Sequence, residues 1–356
     1  MKKALRKISA VVLAAAMVFS MTACGSSEEA KTEEKAAETQ AAAAEEKEEA
    51  AAEEATGEKI KLTLCIGRKN DLSFQQSAYE GTVMIQEQLG DKYEVNVVEM
   101  GDDTTKWQAA FYDAADAGAD IIVGTGFQNK ENFETSPQEY PDTKFILFDQ
   151  DVDYSVGDLG NVLGVLFDSN QSGFLAGAVA AYYTTSENAL NADKTIGFVG
   201  GIDGVSINDF LVGYAEGADI VFQVAGGAGN GVIEGAAEKD GVMAIGVDSD
   251  QYMALEGTDL QSSVITSSLK RLDNALFKIC KDYAEDPSSV PFGSTATYGL
   301  PEDAVGIVFN ENLTASIGEE NVAKVEELLT KIQSGEITVS KASALTADEI
   351  DAIVNN

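Results

Sequence analysis

Eight short apolar runs punctuate the chain between residues 60 and 247, and helix-spaced apolar residues fill most of the intervals between them. The runs span 60–66, 93–99, 121–124, 145–148, 162–167, 195–199, 220–224 and 243–247. Segments 76–89, 107–117, 172–183, 207–218 and 232–239 carry apolar residues three and four positions apart. Strand–helix alternation of this kind predicts parallel sheets covered on both faces, a doubly wound α/β architecture. Two stretches echo each other: AADAGADIIVG begins at Ala114 and AEGADIVFQVA at Ala215, each passing from a helix end through Gly-Ala-Asp into a strand. Two similar α/β lobes account for the echo. In such lobes ligands bind at the carboxyl ends of the strands, so the strand-end loops are where chemistry is expected.

The first 58 residues stand apart from this pattern. Lys2, Lys3, Arg6 and Lys7 precede an apolar run from Ile8 to Met21, which is short for a membrane-spanning helix, and Thr22-Ala23-Cys24 follows. Small residues directly before a cysteine resemble a bacterial lipoprotein signal, so residues 1–24 are expected to be a signal peptide. Cys24 is then the lipidated first residue of the mature chain, held at the outer face of the cytoplasmic membrane. Residues 25–58 contain 12 acidic residues and three Lys in an Ala-rich background, with no aromatic or large aliphatic side chain. They cannot build a core and read as a disordered tether. The remaining 298 residues, 59–356, are long enough for two lobes.

Charge and composition exclude several functions. The chain has 60 acidic and 24 basic residues, a net charge of −36, which argues against nucleic-acid binding because phosphate neutralisation needs a basic face. It contains no His, so His-based triads and His-ligated metals are excluded. Three Cys, at 24, 65 and 280, form neither a CxxC pair nor a disulfide framework, and no metal or cofactor is expected. The strand-end loops carry Phe, Asp, Gln and Gly, a set suited to a neutral ring bearing hydroxyls: carboxylates accept hydroxyl hydrogen bonds and Phe stacks on the ring.

The runs NDLSFQQSAYEG, NVLGVLFDSNQSGFLAGAVAA, IGFVGG, FLVGYAEGA, DIVFQVAGGAGNGV and IGVDSDQ closely resemble the basic membrane protein family. Its members are lipoprotein substrate-binding components of ABC importers, and its characterised branch binds purine nucleosides. The resemblance covers about 61–331. It implies a periplasmic-binding-protein type I fold with the ligand cleft between two lobes, and a membrane permease and ATPase as partners. Phe74 matches the family's base-stacking aromatic, although Gln75 stands where the family usually has Asn. Asp71, Ser73 and Gln76 share that loop and are expected to face the ligand. Asp248 and Lys270 match the pair that holds the ribose hydroxyls, with Asp250 beside them; Gly226 and Gly227 match the loop approaching the sugar, and Phe210 an aromatic lining the base pocket. On residue type alone, Phe74 and Phe210 read as core, Asp248 as a helix cap, and Lys270 as a charge on a helix.

One departure from the family is large. Ala218 runs straight into Asp219 where family members carry another strand, a loop supplying the second base-sandwiching aromatic, and a helix. The first lobe is therefore expected at about 59–170 plus a C-terminal return, and the second at about 171–290, shortened near 218–219. A right-handed crossover joining the strands left adjacent requires the helix over 207–218 to change faces. The function expected is capture of purine nucleosides for import. The alternatives are an extracellular nucleoside-processing enzyme using the Asp149/Asp151 or Asp248/Asp250 pairs, and a shortened binding protein with weak or lost affinity. For the lipid anchor the expected outcome is simple: Cys24→Ala abolishes incorporation of radiolabelled fatty acid and releases the chain from the membrane or leaves it unprocessed, whereas unchanged labelling refutes the anchor.

Overall fold

The computed structural model describes residues 58–186, 197–202, 205–215, 220–238 and 242–354. The expected signal peptide with Cys24, residues 25–57 of the tether, and the junction at 218–219 lie outside the described residues. The chain divides into two units after Gly57, and all that follows concerns the second.

Six strands form the first sheet: β1 (Ile60–Ile66), β2 (Tyr93–Glu99), β3 (Ile121–Thr125), β4 (Lys144–Phe148), β5 (Val162–Phe167) and β10 (Ser294–Tyr298), ordered β10-β5-β4-β3-β1-β2. Every pairing in it is parallel. Successive side chains of a strand point to opposite faces, and β1 is buried on both from Leu62 to Ile66. Leu62, Leu64 and Ile66 join the core beneath α1 (Phe74–Gln88), while Cys65 joins the one beneath α2 (Trp107–Asp116) and α3 (Lys130–Glu139). That second core is closed by edge-to-face contacts of Phe133 with Phe111 and Phe145, at 5.0 and 5.8 Å.

After α4 (Ser169–Thr184) the chain builds a second sheet from β6 (Gly197–Gly200), β7 (Val221–Val224), β8 (Ala244–Asp248), β9 (Val264–Lys270) and β11 (Val305–Ile307). Its order is β11-β9-β8-β7-β6, with β11 antiparallel to β9 and the other pairs parallel. The two sheets correspond strand for strand from β1 and β6 onwards, apart from the reversed direction of β11 against its counterpart β10 and one further difference. In the first sheet β2 lies outside β1; among the described residues no strand lies outside β6.

The helix of the shortened connection does not change faces, contrary to expectation. α5 (Val205–Ala215) packs on α4, and Phe210 sets its ring edge-to-face on Phe222 of β7. α6 (Asn230–Ala237) and α7 (Gln251–Ala254) flank the opposite face, where Ile233, Ala236 and Leu255 form a separate cluster. The steps β6→β7, β7→β8 and β8→β9 all run the same way along the sheet. Helices on opposite faces therefore give the connection through α5 the opposite hand to the next two. About 98% of such crossovers are right-handed, so this one is the rare kind. The reason is packing: Phe210 is fully buried, and its backbone lies so close to α4 that only Gly173 fits beneath it. Burying a Phe contributes about 1.5–3 kcal/mol, and that contact exists on one face only.

Two further differences concern the return to the first lobe. Lys270 ends a strand, β9, and does not lie on a helix. The next helix, α8 (Leu272–Glu285), already packs on α1, with Tyr93 donating to the Cys280 carbonyl at 2.7 Å, so the chain leaves the second lobe near residue 271 and not near 290.

A Cβ on Gly173 would sit 2.6 Å from the Phe210 carbonyl oxygen and 3.1 Å from its Cα, and backbone cannot move aside as a flexible side chain can. Gly173→Ala is expected to destabilise by about 1–2 kcal/mol although Ala is the better helix former by about 1, because overpacking costs about 1–3. Denaturant titration measures it; equal or higher stability rules out the close α4–α5 crossing.

Candidate functional site

The carboxyl ends of both sheets face a cleft of about 690 Å³. Phe74, Phe127 and Asp149 line it from the first lobe, Gly227, Asp248 and Lys270 from the second.

The loop after β1 is organised by one carboxylate. Asp71 accepts the backbone N–H groups of Ser73, Gln75 and Gln76, each at 3.0 Å, and so satisfies donors that the start of α1 leaves without helical partners. Leu72 takes a left-handed φ of 58° between them. With Asp71 doing the capping, the Ser73 hydroxyl is released from that role and donates to Asp248 Oδ2 at 2.6 Å, across to the other lobe. Phe74 follows on the cleft wall. Gln75 Oε1 accepts from the Thr125 hydroxyl at 3.1 Å and from the Gly67 N–H, tying α1 to the end of β3. Gln76, expected at the ligand, instead donates to Glu80 one turn along α1 and does not line the cleft, because its position turns to the helix's outer side.

The charges meet at Lys270. Its Nζ lies 2.9 Å from Asp149 Oδ2 and 3.9 Å from Asp248 Oδ1, with only 3% of the side chain exposed. It also sits over the rings of Phe74 and Phe210, at 5.3 and 5.0 Å from their centroids, where the π faces favour a cation. Burial pushes the Asp248 carboxyl up to about 6; Lys270 and the Ser73 hydroxyl pull it down, and Asp149 and Asp71 push it further up. Asp250 rather than Asp248 caps the following helix, accepting the Met253 N–H at 3.1 Å, and does not line the cleft. Phe210 is core, fully buried behind Lys270 and off the cleft surface. Gly226 and Gly227 do line it, and Gly226 holds a φ of 53° that a side chain would strain.

Sequence reasoning placed Asp149 among metal or base candidates and gave Phe127 and the C-terminal segment no role. Phe127, half exposed, stands on the cleft wall. Lys341 and Ser343 reach the same cleft, their segment held by the Ala342 N–H donating to Asp209 at 2.7 Å. The signal for Asp149 was there: Phe148-Asp149-Gln150-Asp151 repeats the spacing of Val247-Asp248-Ser249-Asp250. Among the described residues no group of three or more Cys, Asp or Glu side chains is arranged to hold a metal. The Lys270 ammonium occupies the space between the two carboxylates.

A family model described as ABC transporter substrate-binding protein PnrA-like matches residues 59–219 and 214–343. The chain belongs to this family. Among similar proteins, a CD4+ T-cell-stimulating antigen of Listeria monocytogenes is 29% identical over 328 residues, covering 77% of this chain and 85% of the relative. The ABC transporter nucleoside-binding protein BmpA of Lactococcus lactis is 28% identical, covering 76% and 85%, and basic membrane protein A of Borreliella burgdorferi is 28% identical, covering 78% and 87%. A solved solute-binding protein of an ABC transporter system from Aeropyrum pernix shares the fold, with a TM-score of 0.64, 23% identity, and coverage of 83% and 96%. The PnrA-like chain is thus an extracytoplasmic substrate-binding component of an ABC transporter with a two-lobed, periplasmic-binding-protein type I fold. Among the described residues no helix is long and apolar enough to cross a membrane.

The raised pKa of Asp248 fixes two signs. Its folded value lies above the unfolded 3.8, so the folded state binds more protons and this group's contribution to stability declines as pH rises from about 4 to about 6. Ligand binding through the ionised carboxylate runs the other way. Affinity for a hydroxylated ligand is expected to weaken roughly tenfold from pH 7 to pH 5, and Asp248→Asn to flatten that slope. Calorimetric titration at a series of pH values reads both; an identical slope in the variant removes Asp248 from the binding step.

Proposed function

We propose that this protein captures purine nucleosides outside the cytoplasmic membrane, anchored through acyl chains on Cys24, and delivers them to an ABC permease and its ATPase. One observation carries the ligand class: an aromatic face, Phe74, stands beside a buried ammonium–carboxylate centre, Lys270 with Asp248, on one cleft. A ring and hydroxyls in one molecule are what that pairing recognises. The nucleoside-binding relative from Lactococcus lactis supports the same class.

The protein binds its ligand without transforming it. Ser73 and Asp248 make a nucleophile–base contact at 2.6 Å, the one feature that favours an enzyme. The Ser73 side chain is fully buried and off the cleft wall, its hydroxyl already given to Asp248. Its bond joins the lobes.

The second lobe is read as lacking one strand–helix unit. That no strand lies outside β6 among the described residues supports this, and so does the break of the family match into two pieces that overlap at 214–219. The alignment of 328 residues that takes up only 77% of the chain points the same way. The lost unit would carry the second aromatic, leaving Phe74 the main stacking partner.

Titration with inosine, guanosine and adenosine tests the reading. Binding is expected, and Phe74→Ala should weaken it ten- to a hundredfold, since stacking on an aromatic contributes about 1–3 kcal/mol. Conversion of inosine to free base during incubation would establish an enzyme instead; absence of nucleoside binding would refute the ligand class.

A further inference from the structure

We infer that Asp209 and Lys341 form a ring-edge subsite that selects 6-oxopurines over 6-aminopurines, the ammonium donating to the ring's 6-oxygen and the carboxylate accepting from its N1–H. This subsite presupposes the nucleoside reading proposed above and narrows it to one class of ring. Among the described residues two lysines line the cleft, Lys270 beside Asp248 and Lys341 on the shortened side. Asp209, on α5, is buried and yet reaches the same cleft. Ile202, Ile207 and Val224 offer a ring apolar contact there, so its polar edge has Asp209, Lys341 and Ser343 to meet.

Both charged groups are held in place. A buried carboxylate is costly unless it is paired or hydrogen-bonded. Asp209 Oδ1 accepts the Ala342 N–H at 2.7 Å. Burial raises its pKa; the Ala342 N–H and the Lys341 ammonium pull it down, and Asp168 and Asp149 push it further up. The segment that carries Lys341 is fastened on either side of it. Asn170 of α4 donates to the Val339 carbonyl at 2.9 Å, Lys341 pairs with Asp168, and Val339 and Ala342 are both buried. Lys341 therefore reaches the cleft at a fixed place, which keeps the ordering cost of a ligand contact low.

A donor beside an acceptor separates the two purine classes. A 6-oxopurine presents an oxygen acceptor next to the N1–H donor, and a 6-aminopurine presents an amino donor next to the N1 acceptor. An ammonium only donates and an ionised carboxylate only accepts. The pair matches the first edge and sets like against like on the second. The 2-amino group of guanosine adds a further donor on the carboxylate's side.

The processed full chain, Asp209→Asn and Lys341→Met are titrated calorimetrically with inosine, guanosine and adenosine, and thermal melting checks each fold. The parent is expected to bind inosine and guanosine about tenfold or more tighter than adenosine. Asn at 209 keeps an oxygen for the Ala342 N–H and turns its NH2 to the ring, opposing the N1–H of inosine and matching the N1 of adenosine. Asp209→Asn should therefore weaken inosine and guanosine about ten- to a hundredfold and leave adenosine unchanged or tighter. Lys341→Met should weaken the same two and spare adenosine. A parent without the preference overturns the subsite, as do unchanged affinities in either variant. An equal loss for all three nucleosides in Asp209→Asn overturns it too, because Asp209 then acts only by holding the C-terminal segment. In each of these cases the nucleoside reading stands. Binding of none of the three refutes that reading and the subsite with it. Should Asp209→Asn not fold, Lys341→Met decides: inosine must fall to within about threefold of adenosine, or the pair reads no ring edge.

Discussion

A single buried ammonium holds the two strand ends of this cleft in register. Lys270 belongs to the second lobe and Asp149 to the first, and their 2.9 Å pair lies almost wholly out of water. Desolvating such charges costs several kcal/mol each, which their attraction offsets only when further hydrogen bonds complete the group. Here Asp248, the Ser73 hydroxyl and two aromatic faces complete it. Removing the ammonium would strand two carboxylates together, a loss of about 3–5 kcal/mol. The arrangement is therefore poor material for mere stability, and all three charged side chains line the cleft.

The strained backbone of the same region follows from that requirement. Asp149 and Asp248 take left-handed φ at the ends of β4 and β8, and Leu72 does so in the loop before α1. In each case local preference yields to a contact formed across the lobes. The α5 connection is the same trade on a larger scale. Handedness asks the helix to cross to the other face; Phe210 and Gly173 hold it where it is. A neighbour that fits to within a methyl group outweighs a preference spread over a whole crossover, because interiors are packed too densely to substitute one contact for another.

What the sequence made legible was whatever rests on apolar periodicity. The first five strand-like runs became β1 to β5 with ends shifted by at most a residue; β3, β4 and β5 are buried on both faces and read as continuous apolar sequence, whereas the edge strand β2 leaves Glu94, Asn96 and Glu99 exposed. The Gly-Ala-Asp echo also carried meaning, since β3 and β7 each stand beside the first strand of their sheet. β9 escaped notice for the opposite reason. Its Thr266, Ser267 and Ser268 are buried but polar, with Thr266 donating to the Val308 carbonyl and Ser267 accepting the Gln251 N–H. Hydrogen bonds replace the apolar signal there, so Lys270 looked like a helix charge. The two Asp-x-Asp loops were visible, but composition does not encode that Asp149 and Asp151 both line the cleft while Asp248 lines it and Asp250 caps a helix. Gln76 failed similarly, one position past the turn that carries Phe74 to the wall.

The shortened lobe and the intact lobe contacts occupy different ends of the cleft, and this decides where the loss is felt. The first-lobe loop at 71–73 bonds to Asn230, Asp248, Ser249 and Gln251, all on the β7–β9 side of the second sheet. None of these depends on α5 or on the outer side of β6. Ile202, Ile207 and Asp209, by contrast, line the cleft from the shortened side, and the C-terminal segment with Lys341 and Ser343 is fastened there through Asp209. On the proposed nucleoside reading, the side expected to meet the hydroxyls keeps these bonds between the lobes, while the side expected to face the ring is lined by Ile202, Ile207, Asp209 and the C-terminal segment. Under that proposal Phe74 meets one face of the ring, and the C-terminal segment is the candidate for the other. The proposal then places the cost of the shortening on selectivity among ring systems rather than on recognition of the hydroxyls.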